Sequence, residues 1–281
     1  MGNETAGNLM KSRVAVLTIA LLLIASTLSA HDLFLRLDSF FVRPQSVVVI
    51  NVLNGTFSKS ENAITRDRLR DISVVGPSGR ARIDTTSWQA KGDTSRLSVH
   101  VGASGTYLVG ASTAPREITL AAKDFNAYLA EDGIPDVLAA RKRDGELGKK
   151  ATERYSKHVK ALLQAGDTKS GGFDTILGYP AELVPLDNPY LRSGKWVRVR
   201  GLVDGKPAGD QVVVSGRKLR NVPRVVERRV RTYADGVARI RIDDRGQWYV
   251  KFIHMEKYKG PSSANAPDYE SKWATLTFEI R

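Results

Sequence analysis

The chain has no cysteine. Disulfides, thiolate metal sites and cysteine nucleophiles are excluded, and stability must come from the apolar core alone. Any metal site has to draw on histidine, carboxylates, backbone groups or an amino terminus. Histidine is itself scarce, with four in the chain. Familiar catalytic spacings are missing as well: there is no Gly-x-Ser-x-Gly, His-Glu-x-x-His, Walker loop or Gly-x-Gly-x-x-Gly. Nothing singles out a carboxylate pair for glycoside hydrolysis. The expectation is a non-enzyme with no catalytic residue. No apolar run reaches the ~20 residues of a membrane span.

The longest apolar run, Val14 to Leu28, follows Lys11 and Arg13 and ends in the small residues Thr27, Ser29 and Ala30. A basic start, an apolar middle and a small-residue end make a secretory signal over residues 1–30, cut between Ala30 and His31. Met10 opens the more typical form of such a signal, so residues 1–9 read as an upstream-start extension. The absence of cysteine excludes a lipoprotein anchor. The expected compartment is the periplasm. The mature chain would begin with His31, whose free amino group and imidazole can close a chelate ring on a metal ion.

About 250 residues then remain, enough for one large or two ordinary domains. The apolar (42%) and charged (26%) fractions are those of a globular protein. Net charge is +13. The basic residues are dispersed, densest from Arg217 to Arg231, and no aromatic residues interleave with them there. A solvated basic face is expected, with no nucleic-acid partner; an exported protein meets anionic surfaces instead.

Residues 31–118 read as short strands. Leu33, Leu35 and Leu37 alternate with Phe34, Arg36 and Asp38. Ser46 to Leu53 is closed by Asn54-Gly55, and Ile72 to Val75 by Gly76-Pro77-Ser78-Gly79. Arg96 to Val101 and Tyr107 to Ala111 suggest a hairpin, and residues 58–70 a charged loop. This spacing indicates an antiparallel sandwich. Residues 119–178 read as a helical insertion: a helix ended by Gly133-Ile134-Pro135, a short one from Pro135 to Arg143, and a long amphipathic one through Leu147, Ala151, Tyr155, Val159 and Leu162. Strands resume over 179–281: Trp196 to Val203 turning at Asp204-Gly205-Lys206-Pro207, a hairpin at Asp235-Gly236, Trp248 to His254, and a final strand through Ala274, Leu276, Phe278 and Ile280.

His254 is the second candidate ligand. It follows Trp248, Val250 and Phe252 in phase, so it ends an inward-facing row at the rim of the sandwich. Glu256 lies on the same face, and Glu270 returns just before the last strand. With Asp32 these carboxylates are candidate oxygen donors or partners of the imidazole. His100 points away from the apolar face of its strand, and His158 reads as a packing residue on the long helix.

Several phrases carry a family resemblance: Ala30-His31-Asp32; Asn126-Ala127-Tyr128-Leu129; Glu153-Arg154-Tyr155-Ser156-Lys157; Gly178 to Pro189; Asp204-Gly205-Lys206-Pro207; Trp248 to Met255; and Tyr269 to Phe278. Together they resemble a bacterial periplasmic family of unknown function described as a nickel or cobalt transport periplasmic component. The resemblance spans nearly all of the mature chain. It implies a metal-handling protein with two Ig-like antiparallel β-sandwich domains, at 31–118 and 179–281, flanking the helical insertion. A histidine at the first mature position also resembles the copper-binding amino terminus of periplasmic copper proteins. The expected cargo is therefore nickel, cobalt or copper, held by His31 and His254 with Asp32, Glu256 and Glu270 as lesser donors. The expected partner is an inner-membrane transporter or receptor. The alternative is a non-metal Ig-like module that binds a protein or an anionic glycan through loops and basic surface.

Overall fold

The computed structural model describes residues 31–191, 195–218, 225–242, 244–263 and 265–281. The expected signal segment and part of the basic stretch 217–231 lie outside them. The first half holds β1 (Asp32–Arg36), β2 (Phe41–Val42), β3 (Ser46–Gly55), β4 (Leu69–Gly76), β5 (Gly79–Arg82), β6 (Trp88–Lys91), β7 (Thr94–Val101), β8 (Gly105–Thr113) and β9 (Arg116–Leu120). Two helices follow, α1 (Ala122–Glu131) and α2 (Pro135–Arg143). Then come β10 (Ala151–Ala165), β11 (Ala181–Pro185), β12 (Trp196–Val203), β13 (Lys206–Pro207), β14 (Val212–Lys218), β15 (Val225–Arg231), β16 (Val237–Arg241), β17 (Gly246–Lys257) and β18 (Tyr269–Ile280).

A ten-stranded sheet, ordered β15-β14-β17-β18-β10-β8-β4-β5 with β2 and β9 also on β10, runs through the molecule. Side chains alternate across it, so each central strand serves two cores. On one face Val159, Ala161 and Leu163 of β10 pack with Leu33, Ile50, Val52 and Trp88 of the sheet β1-β3-β7-β6. On the other, Leu162 of β10 joins Val250, Phe252 and Leu276 against Leu183, Val199 and Ile240 of the sheet formed by β11, β12, β13 and β16. β1 is the edge of its own sheet. The hydroxyls of Thr275 and Thr277 on β18 cap that edge, donating to Leu33 O (2.8 Å) and Leu35 O (2.6 Å).

The mainly β class, with packed sheets and helices in the middle of the chain, is as the sequence implies. The long helix through Leu147 to Leu162 is not present: Ala151–Ala165 is β10, at the centre of the large sheet. Its apolar residues recur at three- and four-residue steps because polar ones occupy inward positions. Glu153, Lys157, His158, Lys160 and Gln164 are all buried and break the plain alternation that marks a strand. The insertion at 119–178 thus holds two helices and a strand shared by both sandwiches. That strand pairs with β8 of the first half and, in parallel, with β18 of the second.

Both expected hairpins are also corrected. β7 pairs with β3 and β6 while β8 pairs with β4 and β10; β15 pairs with β14 while β16 pairs with β12. The Gly-containing turns are real, with Gly236 N donating to Tyr233 O at 2.9 Å, but each carries the chain from one sheet to the other. Alternation shows that a segment can pair, not with which neighbour.

α1 and α2 cover the large sheet beyond β1. Phe125, Tyr128, Leu129 and Ile134 pack on Ile253, Met255, Tyr269 and Trp273. Gly133, at φ 82°, makes the left-handed stop between the helices. No helix among the described residues is long and apolar enough to cross a membrane.

Candidate ligand cavity and metal donors

Where β1 and its sheet end and α1 begins, the β10 face of the large sheet is left partly uncovered. A cavity of about 470 Å³ opens there. Its floor is Glu153, Tyr155 and Lys157 of β10 with Trp273 of β18; Arg68 and Arg116 form one wall, and His31 stands at its border.

His31 is partly exposed, and its Nε2 is engaged by the Glu61 carboxylate. Its backbone carbonyl accepts from Lys157 Nζ, which also donates to Asn54 Oδ1 at 3.0 Å. Burial, reinforced by Arg68, lowers the Lys157 pKa to about 8 despite Asp32, Glu153 and Asp132 nearby. Arg68 is buried too. Its Nη2 donates to Ala114 O at 3.1 Å, while its Nε has no partner. Lys157 Nζ and the Arg68 guanidinium lie 5.4 and 5.6 Å from the centre of the Tyr155 ring. Glu153 accepts from Tyr128 Oη (3.1 Å) and from Ser271 Oγ, and burial pushes its pKa up. Trp273 stacks on Tyr128 and donates to Ser271 Oγ at 2.9 Å, so α1 and β18 fix the floor together.

Asp32 is buried against β17 of the large sheet. Its Oδ2 pairs with Lys251 Nζ, which also bonds Asp132 Oδ1 at 3.1 Å. Burial raises the Asp132 pKa to about 6, with Asp32 adding to the rise. Asp32 Oδ1 is buried without a partner.

His254 lies where its phase predicts, following Trp248, Val250 and Phe252, half-buried with Nδ1 3.2 Å from Gln211 Oε1. Burial lowers its pKa. Alternation along β17 puts Lys251, which touches Asp32, on one face of the sheet and His254 on the other. Glu256 and Glu270 are cross-strand partners near His254. They are engaged by Lys259 and by Arg154 (3.7 Å), respectively. The five expected donors therefore divide into His31 with Asp32 on one side and His254, Glu256 and Glu270 on the other. Among the described residues no three His, Asp or Glu side chains gather into a group that could hold a metal. His158 is buried on β10 between Ser112 Oγ (2.9 Å) and Ser156 Oγ (3.0 Å), with its pKa lowered to about 3, chiefly by burial.

Sequence reasoning did not single out Arg68, Glu153, Lys157 or Trp273. The available signal was the charge at positions 153 and 157, spaced to share one face of a strand buried on both sides.

The chain is a mainly β protein of packed sheets with a part-enclosed cavity lined by polar and apolar side chains. The family model "Domain of unknown function (DUF4198)" matches residues 28–256, and the chain belongs to that family. No curated protein matches. Among solved structures, trypsin-activated alpha-2-macroglobulin from Escherichia coli is similar at 13% identity over 89% of this chain, with a TM-score of 0.23. The chain spans 15% of the length of that protein. The D0-D1 domain of intimin is similar at 10% identity over 89% of this chain and 98% of that one, TM-score 0.19. The BSP domain of a biofilm associated protein matches at 10% identity over 85% and 28%, TM-score 0.17.

Proposed function

We propose that this protein is a periplasmic carrier of a divalent transition metal, capturing its cargo at His31 for delivery to a membrane transporter or receptor. The observation that carries the reading is the contact between His31 Nε2 and Glu61. A carboxylate on one imidazole nitrogen fixes the ring and leaves Nδ1 as the ligating atom, the arrangement that commonly supports a metal-bound histidine. With the chain cut before His31, Nδ1 and the terminal amine belong to one residue and can close a chelate. Nickel or cobalt is the cargo the family resemblance implies; amine plus imidazole equally suits copper. Asp32 Oδ1 is the nearest carboxylate oxygen in sequence without a partner. His254, across the sheet, has no part in this site.

The test is a calorimetric titration of protein beginning at His31 with Ni(II), Co(II), Cu(II) and Zn(II), beside H31A, E61A and H254A. The reading predicts one-to-one binding that is lost in H31A, weakened about 10- to 100-fold in E61A, and unchanged in H254A. Equal affinity in H31A would overturn it.

A further inference from the structure

We propose that the cavity beside His31 is a binding site for a small organic anion, its carboxylate or phosphate held by Arg68 and Lys157 and its apolar body resting on Trp273. This does not depend on the metal reading. Burying a cation without a counter-charge is costly. Two other buried cations have carboxylate partners, Lys160 with Glu182 and Lys251 with Asp32 and Asp132; buried Arg141 has none, but its guanidinium is filled by Asn126, Tyr269 and the carbonyls of Glu146 and Lys149. Lys157, 6% exposed, donates to two uncharged oxygens instead. Arg68, also 6% exposed, has one backbone carbonyl, the Tyr155 side chain and the exposed Asp67 beside it, and an Nε with no partner. Arg116 adds a third positive charge at the wall, held at 3.5 Å by an exposed Asp67.

The acidic groups near Lys157 have other partners: Asp32 and Asp132 are both paired with Lys251. Glu153 is spent on the hydroxyls of Tyr128 and Ser271. Two buried cations on one cavity, both against the Tyr155 ring, form a pre-set anion cradle. The volume fits a small ligand, since such sites usually measure about 300–1,000 Å³. Ile64, Ile118, Leu120 and Trp273 line the same space, which favours an organic body over an inorganic ion.

The experiment uses full mature protein freed of metal with a chelator. Benzoate, citrate and phenyl phosphate are titrated against it, with inorganic phosphate and neutral benzamide alongside; the readouts are calorimetry and the NMR shift of the Trp273 indole N–H. The proposal predicts saturable one-to-one binding of at least one organic anion, tighter than benzamide and than inorganic phosphate. That affinity should fall tenfold or more in R68M and in K157M, while K257M, at an exposed lysine, leaves it unchanged. K157Q keeps the result readable if either methionine variant folds poorly. If no organic anion outbinds benzamide, or if the folded variants bind as well as the parent, the proposal is overturned. Because no metal is present, failure here and failure of the His31 chelate are separate results.

Discussion

Lys157 shows what a buried charge costs at the scale of one side chain. Its pKa falls from 10.5 to about 8 on folding, so between those values the unfolded chain binds more protons than the folded one. Stability from this group therefore rises as pH rises through that window, and its penalty is fully present below about pH 8. A shift of that size is worth up to about 3 kcal/mol. Denaturant unfolding at pH 7.5 and 9.5 should show a parent protein gaining stability relative to K157M at the higher pH. A constant difference between the two would refute the buried, unpaired lysine. Keeping such a group is a cost to the ligand-free fold.

Among elements, β10 explains both what could be read from the sequence and what could not. The phase of Trp248, Val250, Phe252 and His254 was legible because that face of β17 is apolar from Trp248 to Phe252. β10 was not, since its inward positions carry Glu153, Lys157 and Lys160, and charge at those places imitates the polar side of a helix. The candidate cavity was hidden for the same reason: the residues that build it are those that spoil the strand pattern. Lys160 ties β10 to β11 through Glu182, which also accepts from Tyr179 N (2.6 Å) and Leu177 N (2.9 Å). Removing one partner strands the other in the core. E182A should cost about 3–5 kcal/mol, measured by denaturant unfolding, and K160M/E182L together should cost clearly less. Equal losses in the single and double variants would deny the pairing.

For the whole molecule, the shared sheet decides how the halves behave. The sequence suggested separate sandwiches at 31–118 and 179–281, yet the first core needs Val159, Ala161 and Leu163 of β10, and the second needs Leu162. A fragment ending at residue 118 lacks one wall of its own core. It should give poorly dispersed NMR spectra and no cooperative unfolding, whereas the chain from residue 31 to 281 should unfold in one transition. An independently folded 31–118 fragment would contradict the shared core. The same architecture separates the two sets of expected donors, since a continuous sheet lies between His31 and His254. What remained illegible is spatial: strands that neighbour in sequence cross between sheets, so no local pattern could tell which histidines meet.

The most direct test of the metal reading is to block one nitrogen. Protein beginning at a free His31 and the same protein acetylated at the His31 amine differ only in whether the terminal nitrogen can ligate. Both would be titrated with nickel, cobalt and copper under identical conditions. The His31 chelate predicts tight one-to-one binding to the first, and a loss of at least tenfold in the second. Equal affinities would show that the amino group takes no part and that the site built on His31 is wrong.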